Sequence, residues 1–199
     1  MPIRFPEPPA EVAQAAQPAR PPRWKRLLRA DYADPEMGGG MAVPPQPVFT
    51  AGLEQLLSAQ EAEETVEGGP TWRFSRFDAN GELGAFEVNP ESRGGSSVAG
   101  GDDRFSAAIR DALAVAADDE RVRGGDYEAR LFRVPALYLL ALWLHAAQQP
   151  DLFVPLHAVA GVETRTVYDQ DSFLAALRDA AEGALSAYRD AERPDELGS

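Results

Sequence analysis

Residues 134–144, VPALYLLALWL, are a nearly continuous apolar run of 11 residues, and no other stretch restricts the fold as much. The run is too short to cross a bilayer, which takes about 20 apolar residues in a helix. It fits either a helix opened by Pro135 or a strand that is apolar on both faces. The residues that follow decide between them. QQPD is a short turn, and LFVPL (residues 152–156) has the length of a strand only. The spacing therefore predicts a hairpin turning near Gln149 or Pro150, with residues 137–144 as one strand. Such a strand needs cover on both faces of its sheet, so helices are expected on both sides.

The rest of the body supplies that cover. Leu53, Leu56 and Leu57 share one face of a helix expected over residues 51–62, with Thr50 as its cap. Residues 72–88 read as a hairpin. Trp72 and Phe74 alternate with polar residues, Phe86 and Val88 do the same, and Asn80-Gly81 supplies the positive-φ turn. A helix over residues 104–117 turns Phe105, Ile109, Leu113 and Ala116 inward, and a strand begins near Tyr127. A last helix over residues 172–191, capped by Asp171, carries Phe173, Leu177, Ala181, Ala184 and Tyr188 on one stripe.

This order, α-β-β-α-β-β-β-α, predicts an α+β fold. Its five-stranded antiparallel sheet has helices on both faces, the middle helix on one and the first and last on the other. The same order of elements occurs in profilin-like and roadblock/longin scaffolds. That likeness rests on element order alone, with no shared motif, and it implies an interaction or sensing platform.

Ahead of the body lies a different composition. Eleven of the 17 prolines precede Val48, and residues 1–47 read as a Pro-rich, extended arm. Residues 1–30 carry six basic side chains against two acids, on a chain whose net charge is -13. PARPPR (residues 18–23) matches a PxxPxR pattern that docks in aromatic-lined grooves. Residues 23–30 predict a short basic helix with Trp24, Leu27 and Leu28 on one stripe. That helix is too short to stand alone in water and needs a surface: the acidic body, a partner or an anionic membrane. Residues 36–47 have linker composition. The domain reading is arm 1–47, acidic body 48–192 and polar tail 193–199.

Charge and composition narrow the function. An acidic body repels phosphate backbones, so no nucleic-acid partner is expected. There is no cysteine, hence no disulfide, thiolate metal site or cysteine nucleophile. No signal-peptide core opens the chain, and a cytoplasmic location is expected. One lysine against 18 arginines is the compositional mark of GC-rich bacterial coding.

Chemical motifs are few. The carboxylates Glu61, Glu63, Glu64 and Glu67 read as a solvated helix end. DANGE places its glycine at the wrong position for a calcium loop. The glycine-rich residues 92–105 lack a lysine for phosphates and place Asp102 and Asp103 at a helix start, where they repel an anion. His145 and His157 end the two strands of the central hairpin. With His145 opposite residue 155, His157 is its diagonal neighbour, within about 7–8 Å on one face. Such a pair is the start of a metal or acid–base site without a third ligand.

The function expected is a non-enzymatic protein-interaction or assembly module without a cofactor. Its partner-binding residues are Trp24, Lys25, Arg26, Leu27, Leu28 and Arg29. Two alternatives stand beside it: an acidic, immunity-type inhibitor of a basic target, and a hydrolase or metal enzyme using His145 and His157.

Overall fold

The computed structural model describes residues 3–16, 43–77, 83–90, 98–99, 103–157, 159 and 161–191. The strands are β1 (Ile3–Arg4), β2 (Gln46–Thr50), β3 (Thr71–Phe77), β4 (Leu83–Val88), β5 (Val98–Ala99), β6 (Tyr127–Val134), β7 (Leu139–His145), β8 (Leu152–Pro155) and β9 (Tyr168–Asp169). The helices are α1 (Ala10–Ala16), α2 (Leu53–Ser58), α3 (Asp103–Asp118), α4 (Glu120–Arg123) and α5 (Gln170–Ala191). Short 3-10 turns occupy Ala62–Thr65 and Pro135–Leu137. All nine strands join one sheet in the order β5-β4-β3-β2-β6-β7-β8-β9, with β1 also paired to β6.

Two-sided burial organises the centre of this sheet. In β7, Leu140, Leu142 and Leu144 face one side together with Ile109, Ala112 and Ala116 of α3. Leu139, Ala141 and Trp143 face the other side, against Leu56 of α2 and Phe173, Leu174 and Leu177 of α5. The α+β class, the strand over residues 139–145 and the allocation of helices to faces agree with the sequence pattern.

Three expectations are corrected. Among the described residues the sheet has nine strands rather than five, and it is mixed, because β1 and β2 run parallel to β6. The element order behind the profilin and roadblock likeness is therefore not that of the chain: β1, α1 and β2 precede the first expected helix. The boundary drawn after Pro47 falls inside β2, which lies between β3 and β6 in the sheet. Proline is tolerated there because β2 pairs with β3 over Gln46–Val48 and with β6 over Val48–Thr50. Pro47 thus has one strand neighbour and owes no N–H to the other side. Helix caps also differ. Thr50 is a strand residue whose hydroxyl accepts from Arg133, and α2 starts after Gly52. Asp169 rather than Asp171 accepts the Ser172 N–H at the start of α5, at 2.8 Å. Hydrogen bonds from the Ser172 N–H and side chain hold the Asp169 carboxyl below its ordinary pKa.

The start of the chain is part of the fold. Ile3 and Arg4 pair with Tyr127 and Glu128 of β6. Val12 of α1, 1% exposed, closes a cluster with Trp72 of β3 and Val88 of β4. Residues 17–42, with the helix expected at 23–30, lie outside the described residues, as do residues 192–199. Among the described residues no helix is long and apolar enough to cross a membrane.

Truncation of residues 1–16 tests this placement. It removes β1 and α1 and uncovers Trp72 and Val88. Loss of these contacts lowers stability by roughly 2–4 kcal/mol, measured by urea denaturation. An unpacked extension would leave the midpoint where it was.

Candidate functional site

The histidine pair does not form. The β7–β8 ladder runs from Ala141↔Pro155 to Leu144↔Leu152, so the residue facing His145 is Asp151. His157 lies beyond the opposite end of β8, where its Nε2 donates to the Tyr138 carbonyl beside the Phe105 ring. The length of β7 separates the two imidazoles, roughly 20 Å at strand rise. Among the described residues no group of three or more His, Cys, Asp or Glu side chains is placed to hold a metal.

His145 belongs instead to a polar cluster around Trp143. The Asp151 carboxylate accepts from Trp143 Nε1 at 2.6 Å and from the Ala146 N–H at 3.0 Å, and lies 3.2 Å from His145 Nδ1. It thereby closes the hairpin turn over residues 146–150. Trp143 is wholly buried, so its indole N–H needs this acceptor. Arg130 lies 5.0 Å from the Trp143 ring and 5.1 Å from that of Phe49. Its Nε donates to Glu128 at 2.8 Å and its Nη1 to Glu63 at 3.3 Å. Each charge here has a partner, and the cluster fixes the end of the central hairpin.

A second polar layer lies on the α3 face of the β2–β3–β4 wing. Gln46, Arg73 and Glu87 are successive cross-strand partners, hence on one face. Arg133 Nη1 donates to both Glu87 oxygens, at 3.1 and 2.8 Å, while its Nε and Nη2 donate to Thr50 Oγ1. Thr71 Oγ1 donates to Glu87, and Arg73 Nη1 lies 3.6 Å from the same carboxylate. The Arg73 side chain is 11% exposed, with its guanidinium 5.6 Å from the Phe105 ring of α3. Burial pulls its pKa below the ordinary arginine value; Glu87 opposes this shift and Arg133 adds to it. Arg73 Nε and Nη2, Gln46 Nε2 and Ser106 Oγ are buried without a hydrogen-bond partner among the described residues. In this respect the layer differs from the Trp143 cluster.

The partner-binding residues expected from sequence, Trp24, Lys25, Arg26, Leu27, Leu28 and Arg29, all lie outside the described residues. The chain that carries them is bracketed by described structure. It leaves at Ala16, packed beside Trp72, and returns at Val43, 6% exposed in the α3-side core. The sequence reading missed Gln46, Arg73, Glu87, Ser106 and Arg133 altogether. Arg73 alternates with Trp72 and Phe74, a pattern that assigns it to solvent when only one face of the hairpin is covered. The available signal was the length of α3, whose first turns reach past the central strands toward this wing.

Compared with models of protein families, with curated proteins and with solved structures, the chain finds no match.

Replacing Asp151 with alanine tests the Trp143 cluster. It strands the buried Trp143 N–H and costs roughly 2–3 kcal/mol in urea denaturation, with a shift in tryptophan emission. Asp151→Asn keeps an acceptor oxygen and costs less.

Proposed function

We propose that the protein is a non-enzymatic protein-interaction or assembly module. Its acidic α+β body presents a basic, apolar segment at residues 24–29 for docking onto a protein partner. The observation that supports this reading is the anchoring of both ends of residues 17–42: Ala16 and Val43 each sit in a hydrophobic cluster. Fixing the ends of this segment lowers the ordering cost of an interface formed there. Its composition supports the same reading, since Trp24, Arg26 and Arg29 are of the types that dominate interface energetics.

The decisive variant leaves β1, α1 and β2 intact; removing residues 1–47 would take β1, α1 and the first two residues of β2 with it. Trp24→Ala combined with Leu28→Ala abolishes association, read by analytical ultracentrifugation and by quantitative co-purification from the native cell. The melting temperature of the body stays unchanged. If the double variant keeps every association of the parent chain, the segment is not the docking element. Binding by the variant that weakens steeply with salt points to the acidic body as inhibitor of a basic target.

A further inference from the structure

The polar layer under α3 contains more donors than acceptors. Arg73 has two edges. The one that includes Nη1 faces Glu87, at 3.6 Å. Nε and Nη2 form the other, the side-on pair of parallel N–H groups, and both are buried without a partner among the described residues. This pair matches a carboxylate fork to fork. Glu87 does not supply it, because its oxygens already take Arg133, Thr71 and the far edge of Arg73.

Two further buried groups without a partner among the described residues lie on the elements that flank Arg73. Gln46, 2% exposed, is the cross-strand partner of Arg73, so its amide stands on the same face. Ser106, fully buried, follows Phe105, the α3 residue whose ring lies by the Arg73 guanidinium. An arginine cannot shed its proton to escape such a site. Among the described residues no acceptor with two oxygens and one negative charge is left for this edge. Arg73, Arg133 and Glu87 together carry +1, which a monoanion neutralises and a phosphate dianion overshoots.

We propose that Arg73, with Gln46 and Ser106, forms a binding site for a small carboxylate between α3 and the β2–β3–β4 wing. This site is independent of the docking segment at residues 24–29.

The test uses the full chain with sodium acetate as probe, against sodium chloride and sodium phosphate at equal pH and ionic strength. Acetate raises the melting temperature in a saturable manner, as a ligand specific to the folded state must. Saturation-transfer NMR detects the bound methyl group. In Arg73→Met both signals vanish. In Arg73→Lys, which keeps the charge without the side-on fork, affinity falls roughly tenfold. Gln46→Leu weakens acetate binding several-fold and covers the case in which Arg73→Met fails to fold. Absence of an acetate response in the parent chain overturns the proposal. So does an equal response in Arg73→Met or, where that variant does not fold, in Gln46→Leu. A response to phosphate without one to acetate overturns the carboxylate assignment.

Discussion

The fold depends on β7 being buried on both faces. From Leu139 to Leu144 no residue is more than 9% exposed. A strand in that position has no polar side to turn to water, so each side chain must meet an opposing layer. On one side the layer is α3. On the other it is an aromatic stack, in which Phe153 and Phe173 lie parallel at 4.3 Å with Phe132 and Trp143 edge-on to each other at 6.0 Å. Filling the two layers fixes where α2, α3 and α5 lie relative to the sheet.

Polar groups drawn into such a centre must bring partners with them. Trp143 fills space that an aliphatic side chain would leave empty, but it carries an N–H into the core. Asp151 answers that N–H from the other strand of the hairpin. The carboxylate in turn takes the Ala146 N–H, so the acceptor required by the core also defines the turn. The position that looked chemical from the sequence, a histidine ending an apolar strand, is occupied by this structural pairing. The register explains why. His145 faces residue 151 rather than 155, a displacement of four residues that carries His157 past the end of β8. Sequence places a hairpin turn only approximately, whereas a site built across it needs the register itself.

Legibility follows the same line. Strands β7 and β8 were readable because each is an unbroken apolar run of strand length, with His145 ending β7, while β6 interleaves Glu128, Arg130 and Arg133 with its buried residues and only its start near Tyr127 was read. The β3–β4 hairpin was readable from its alternation. Strand β2 was not, since Pro44, Pro45 and Pro47 give it the composition of a linker. Only the three-dimensional arrangement shows that Pro47 lacks a second neighbour to serve. Strands β1, β5 and β9 are two residues each, too short to carry any period. The wing was misread in one respect only. Its apolar face was recognised and its polar face given to solvent, while the chain covers both, with α1 on the side of Trp72 and α3 on the side of Arg73.

That second cover makes Arg73 unusual. A guanidinium under a helix loses hydration that a single carboxylate at 3.6 Å, itself held by another arginine, replaces only in part. Filling the position with a hydrophobic residue would remove that cost, and the same face of the sheet is filled in this way at Leu131 and Leu142. Gln46 and Ser106 repeat the pattern: each is a donor in a place where Val48 and Ile109, their neighbours on the same elements, are apolar. One unsatisfied buried donor is a local cost of packing. Several on three different elements, two of them cross-strand partners, are the donors that the proposed carboxylate would answer.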